Sequence, residues 1–277
     1  MSYTLPFFLT LIACFGLQSL ALRAVGGKTN KSESNFFSSI ARIQTGIRDQ
    51  PEIMLLGSSM TGRLPDRNQG FVGVANLGCD GSSAVDTLRA MDAGKLPIAP
   101  LLIVEGNTLY RAVRADPSEI ATAMDSPWFN IGRHVPNLGA TARPAAFVYS
   151  KLMDHQLGAG QQTATMDIAP SNALGIPTGP TPALSEAESL LIDELSAVMG
   201  RLKNRGSMFL ITVIPPSGNP DSASIRLPLA LALKAQVPYW NLHAALPQST
   251  ISYTDGIHMT PSSAATIMSF LSKGPSR

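Results

Sequence analysis

Four residues separated by most of the chain carry the chemistry of acyl transfer. Ser59 can attack a carbonyl, His258 can take its proton, Asp255 can orient the histidine, and Asn107 can donate a hydrogen bond to an oxyanion. Serine acyl transfer needs these roles together: a nucleophile, a base, a group that holds the base, and donors aimed at the developing negative charge. Asp255 and His258 share the turn Thr254-Asp255-Gly256-Ile257-His258. That spacing lets the carboxylate fold back onto one ring nitrogen, fix the tautomer and leave the other nitrogen for Ser59. The expected oxyanion hole comprises the backbone N–H groups of Ser59 and Gly81 and the side-chain amide of Asn107, with Gly81 suited because a residue without Cβ lets its amide approach closely. Each piece is common alone. Ser58 or Ser59 can simply cap a helix, Asp-x-x-His can be a surface turn, and Gly-Asn is an ordinary turn dipeptide.

Their placement on predicted elements is what makes the set specific. Ile53 to Leu56 is an uncharged apolar run ended by Gly57, which predicts a buried parallel strand with Ser59 just beyond its carboxyl end. Val72 to Leu77 predicts a second strand, running into Asn76-Leu77-Gly78-Cys79-Asp80-Gly81, and Ser82 to Met91 a helix begun by a serine cap. Pro100 to Glu105 predicts a third strand, followed at once by Gly106-Asn107. Later, Leu191, Leu195, Val198 and Leu202 recur at helical spacing after Ser185. Met208 to Ile214 and Val237 to Leu242 predict further strands, and Ser224 to Ala235 and Pro261 to Leu271 predict helices. Alternating strands and helices are the signature of a parallel sheet wound by helices, whose ligands bind outside the carboxyl ends of the strands.

Composition narrows the classes. With 277 residues and 44% hydrophobic residues the chain can build a substantial core, which excludes general disorder. A net charge of +2 with 14% charged residues supplies no field for a phosphate backbone, so nucleic acid is not an expected partner. Cys14 and Cys79 are not expected to pair. The histidines are isolated, His243 included, so no metal site is expected. GSSMTGRL misses the phosphate-loop pattern at Arg63 and Leu64, and the nucleophile-elbow pattern fails at Thr61.

Residues 1–25 are expected to form a signal peptide or transmembrane anchor. Leu5 to Val25 is apolar apart from Thr10, Gln18, Ser19 and Arg23, and Ser19-Leu20-Ala21 offers a small-x-small cleavage site. Arg23, Lys28 and Lys31 on the far side run against the positive-inside rule. Export is nevertheless expected, to the periplasm or the cell exterior, because an apolar amino terminus before a soluble domain has few other uses. Leu11-Ile12-Ala13-Cys14 resembles a lipoprotein cleavage box, but the apolar run continues past the cysteine. Residues 26–50 are expected to be a tether with a short helix, and 51–277 the functional domain, with an irregular insertion at about 110–183 above the crevice. In that insertion Trp128, Phe129 and Tyr149 could stack on a sugar or pack a lid, while His134, Asp154 and His155 are surface or packing residues.

Four motifs resemble those of the SGNH (GDSL-type) hydrolases. LLGSSMTG resembles the first block, NLGCDGSS the second, VEGN the third and DGIHMTPSSA the last. The resemblance covers residues 52–108 and 184–273. It implies a three-layer α/β/α sandwich with a flavodoxin-like parallel sheet, and ester hydrolysis or acyl transfer without metal or organic cofactor. The sequence departs from the usual pattern at Ser58, Glu105 and Thr108, where Asp, Gly and Asp are usual. Glu105 is expected to bring a carboxylate near the oxyanion site, where it would modulate activity or substrate choice. Anchored members with unusual first blocks resemble components of exopolysaccharide acetylation systems, including those for cellulose and alginate. The resemblance therefore implies a serine esterase or O-acyltransferase acting on acyl groups, above all acetyl, of an exported glycan. Its partners would be the acylated glycan and membrane acyltransferase or polysaccharide synthase components. A lipid or small-ester hydrolase, and a catalytically silent glycan-binding or assembly subunit, are the alternatives.

Overall fold

The computed structural model describes residues 3–24, 35–113, 118–143, 170 and 174–273. Five apolar runs are strands: β1 (Ile53–Leu56), β2 (Val74–Asn76), β3 (Leu101–Glu105), β4 (Met208–Val213) and β5 (Tyr239–Asn241). All pair in parallel, in the order β2-β1-β3-β4-β5. Successive side chains of a strand face opposite ways. Met54, Leu56, Leu102, Val104, Phe209 and Ile211 accordingly enter one core, and Leu55, Leu101, Ile103 and Leu210 enter a second. Two apolar faces need helices on both sides.

The helices are α1 (Thr4–Ala24), α2 (Asn35–Gly46), α3 (Ser59–Gly62), α4 (Ala84–Asp92), α5 (Glu119–Met124), α6 (Pro127–His134), α7 (Glu186–Asn204), α8 (Ala223–Ala235), α9 (Leu242–Ala245) and α10 (Pro261–Leu271). Ile43 of α2, Leu88 of α4, Leu195 of α7 and Leu231 of α8 fill the first core; Ile267, Met268 and Leu271 of α10 fill the second. The protein is thus an α/β fold with a parallel sheet between helical layers. Strand order reverses direction between β1 and β3, and the carboxyl ends of strands at such a point are where ligands bind in open α/β sheets. α7 starts where Ser185 and Glu188 form a reciprocal capping box, and its predicted apolar stripe is buried. Outside the layers, α1 is long and apolar enough to cross a membrane, and only Leu22 along it is buried.

The structure refines three expectations. The short helix expected within residues 26–50 is α2, which buries Ile40 and Ile43 in the first core, followed by Ile47; this spacing of i, i+3 and i+7 is visible in the sequence. The second strand starts two residues late, at Val74, with Val72 92% exposed. Of the insertion, residues 110–113, 118–143, 170 and 174–183 are described; Ile120, Met124 and Phe129 pack into the same core as α2 and α4, and Gly175 bridges to Tyr239 of β5. Lys28, Lys31, Tyr149, Asp154 and His155 lie outside the described residues.

Candidate active site

The two serines after β1 divide two jobs. Ser58 is buried and caps α3, its Oγ accepting from Met60 N at 3.2 Å. Ser59, between buried Ser58 and buried Met60, is partly exposed. Its Oγ lies 3.0 Å from His258 Nε2, across 199 residues of sequence. The helix cap thus falls to Ser58, and Ser59 is the serine placed beside His258.

His258 is placed by the loop between α9 and α10. Thr254 N donates to His258 O at 2.8 Å and Thr260 N to Ser252 O at 2.9 Å, closing the loop, while Met259 anchors it in the second core. Asp255 Oδ1 accepts from Ile257 N at 3.1 Å and His258 N at 2.7 Å, and its Oδ2 lies 2.6 Å from His258 Nδ1. A carboxylate can only accept, so Nδ1 carries the proton and donates it. In the neutral ring Nε2 is then the acceptor, and Ser59 Oγ–H donates to it. The bond from the imidazole, followed by those from the two backbone N–H groups, holds the Asp255 carboxyl well below the usual carboxylate range. The Asp255 side chain is 53% exposed and that of His258 18%.

Beneath Ser59 lies a second carboxylate. Glu105, 1% exposed, ends β3 and points under α3. Its Oε2 accepts from Ser58 N (2.8 Å), Thr61 N (3.2 Å) and Thr61 Oγ1 (2.7 Å). Its Oε1 accepts from Ser58 Oγ (2.9 Å) and Thr108 Oγ1 (3.1 Å). The carboxylate expected near the oxyanion site, Glu105, is buried and accepts from five donor groups, and it holds the turn on which Ser59 sits. Gly57 makes room for this network, since a Cβ there would fall 2.1 Å from Thr61 Oγ1 and 2.5 Å from Glu105 Oε2.

The donors expected for an oxyanion separate in the same way. The backbone N–H groups of Ser59 and Gly81 have no hydrogen-bond partner among the described residues. Gly81 has open space where a Cβ would stand but a φ of +80°, so its backbone conformation rather than close approach calls for glycine. Asn107 differs from expectation. Its Nδ2 donates to Ile214 O (2.7 Å) and Pro216 O (3.3 Å), and its Oδ1 accepts from Ile214 N (2.9 Å). Both amide hydrogens are committed, so Asn107 ties β3 to the end of β4 and is not offered to the crevice.

Residues that sequence reading did not single out fix the loop bearing Gly81. Arg42 of α2 donates to Gly78 O and reaches Asp80 Oδ2 at 3.4 Å; Ser38 Oγ donates to the same carboxylate, and Asp80 N donates to Ser39 Oγ. Asn76 Nδ2 donates to Thr61 O and Leu64 O while its Oδ1 accepts from Gly78 N, which binds the first two loops together. The stripe through Ile40, Ile43 and Ile47 was the available signal that α2 belongs to the domain.

Elsewhere, His243 Nδ1 accepts from Ser217 N, and burial pushes its pKa down. His134 is exposed, Phe129 is buried and Trp128 is exposed, so the last two share no stacking face. Burial pushes the Cys79 thiol up to about 12. Among the described residues no cluster of His, Cys, Asp and Glu could hold a metal ion. Comparisons with protein-family models, curated proteins and solved structures return no match.

Proposed function

We propose that this protein is a membrane-anchored serine esterase or O-acyltransferase of SGNH type. The observation that carries the proposal is the continuous chain from Ser59 Oγ through both ring nitrogens of His258 to Asp255. Further support comes from the three departures from the family pattern, which are one interaction: Glu105 accepts from both Ser58 and Thr108. Glu105 is matched by both of the other unusual residues, and none displaces Ser59 or His258.

In the proposed reaction His258 Nε2 removes the Ser59 proton as Oγ bonds to the acyl carbon. The N–H groups of Ser59 and Gly81 receive the oxyanion. The C–O bond to the leaving alcohol breaks, and the alcohol oxygen takes the proton from His258, leaving an acyl-serine. Water or a sugar hydroxyl, deprotonated by His258, then attacks the acyl carbon; the acyl–Oγ bond breaks and Ser59 Oγ takes the proton back from His258. Asp255 stabilises the imidazolium in both halves. The substrate class, acyl groups and above all acetyl on an exported polysaccharide, follows from the resemblance of the four motifs, and α1 is taken as the anchor because its sides stay exposed along the chain.

Fluorophosphonate labelling of the full chain in detergent, with the adduct located by mass spectrometry, tests the proposal. The expected adduct is on Ser59 and is absent in Ser59→Ala and His258→Ala. A folded protein that stays unlabelled while a control esterase reacts overturns it. Acetate release from, or transfer to, acetylated polysaccharide then separates hydrolysis from transfer.

A further inference from the structure

Helix α6 is apolar on two sides. Phe129 and Gly132 are buried, while Trp128, Ile131 and Val135 are 70%, 37% and 37% exposed and Leu138 just beyond is 51% exposed. Residues at i, i+3 and i+7 share one side of a helix, so this is a continuous outward stripe. Trp128 and Leu138 also rim a groove of ≈ 340 Å³ whose far wall is Phe36, Phe37 and Ile40 of α2. An exposed apolar patch of this kind marks a surface that something covers.

The contacts of α1 indicate what. Gln18 Nε2 donates to Asn137 O (3.3 Å) and Ala142 O (2.7 Å), Asn137 Nδ2 donates to Ser19 Oγ, and Leu22 is buried. The segment carrying Leu138 is therefore fastened to the last two turns of α1. From Leu5 to Leu17, α1 offers an exposed apolar length of only about 20 Å at 1.5 Å per residue, against about 30 Å of bilayer hydrocarbon. Seating the whole helix puts Gln18 and Ser19 about 8–9 Å below its Ala24 end, so the segment bonded to them reaches from the headgroups into the upper acyl region. Tryptophan is favoured at that depth. Charge agrees: residues 126–143 contain Arg133, His134 and Arg143 and no acidic side chain, which suits anionic lipid.

We infer that the face formed by Trp128, Ile131, Val135 and Leu138 lies in the headgroup and upper acyl region of the bilayer that holds α1. The inference rests on the reading of α1 as a retained anchor. It has a consequence for the site, because α2 lines the groove with Phe36 and Phe37 and grips the Gly81 loop through Arg42 and Ser38. The catalytic crevice is then held at a fixed height and tilt over the membrane.

The test uses the full chain in vesicles of phosphatidylcholine and phosphatidylglycerol. Flotation in high salt reports whether α1 holds the protein. Tryptophan emission is then measured with lipids brominated near the headgroup or near the chain end, and with iodide in the water. Trp128→Phe, which leaves Trp240 packed on Phe270, isolates the Trp128 signal. The expected result is a loss of Trp128 emission, greatest with bromine nearest the headgroup, and little effect of iodide. Combining Ile131→Asp with Leu138→Asp reduces that loss while thermal unfolding stays unchanged. Protein that floats with Trp128 quenched by iodide but not by bromine overturns the inference and leaves the anchor standing. Shielding from both quenchers also overturns it, because a second copy or another protein then covers the face. Protein that does not float removes anchor and surface together, whereas labelling of Ser59 is independent of all three outcomes.

Discussion

Two carboxylates stand on either side of Ser59 and are built in opposite ways. Asp255 accepts two backbone N–H groups and one imidazole N–H on an exposed loop. Glu105 accepts from the backbone and hydroxyl of Ser58 and Thr61 and from Thr108, all out of water. Water can replace the partners of the first and cannot reach those of the second. In the proposed mechanism the exposed carboxylate can therefore serve a moving proton at little cost to the fold, while the buried one stabilises the platform.

Substitutions can break this division, and the largest effect is expected at the shared serine and histidine. Ser59→Ala or His258→Ala should lower ester turnover by about 10⁴-fold or more and leave the thermal midpoint in place, as read by steady-state kinetics beside calorimetry. Asp255→Asn should lower turnover by about 10²–10⁴-fold through loss of the correct tautomer, with only a small shift in unfolding; a large loss of stability would show that the exposed turn is structural after all.

Glu105→Ala reverses the pattern. It strands five buried donor groups, and the expected loss is about 3–5 kcal/mol, a fall in unfolding midpoint of about 6–20 °C. Glu105→Gln should cost only about 1–2 kcal/mol. Its oxygen can keep the Oε2 bonds and its amide can donate to the hydroxyls of Ser58 and Thr108, which turn to accept. Turnover in the glutamine variant should follow the folded fraction; a selective kinetic loss would mean that the Glu105 charge reaches the reaction. Gly57→Ala, which drives a methyl into the same network, should cost about 1–3 kcal/mol.

The smallest effect is the pH dependence of Asp255. Its folded-state pKa is depressed, mainly by the His258 bond. Its contribution to stability is therefore fully present above the unfolded value, near 3.9, and is lost as pH falls through the folded value. Unfolding curves of wild type and Asp255→Asn should differ by a constant amount from neutral pH to about pH 5, and converge only in stronger acid. Convergence already near pH 6 would show that the bond to His258 does not hold the carboxyl down.

The five strands were legible because each is a buried run with few competing patterns, and the closing helix was legible to the residue, Pro261 to Leu271. That Ser59, Asp255 and His258 come together was legible because these residue types stand in loops that follow predicted strands. The direction in which a side chain leaves its strand was not. Glu105 and Asn107 sit one residue to either side of Gly106, yet one turns under α3 and the other toward Ile214. Nothing in VEGN distinguishes these from a crevice-facing pair. α2 was underread because its stripe is short and surrounded by polar residues, and α5 and α6 because scattered prolines and glycines masked the caps at Ser118 and Ser126.

The 199-residue separation of Ser59 from His258 also orders events in time. At ribosomal rates of about 5–20 residues per second, the nucleophile is made some 10–40 s before its base. During that interval the hydroxyl is an ordinary alcohol, unable to attack an ester. In the proposed mechanism Asp255 and His258 are made almost together and join the serine only when β5 has docked and the last loop has closed. On that mechanism a nascent chain is protected from modifying itself with whatever acyl donor it meets until the Asp255–His258 loop has been made.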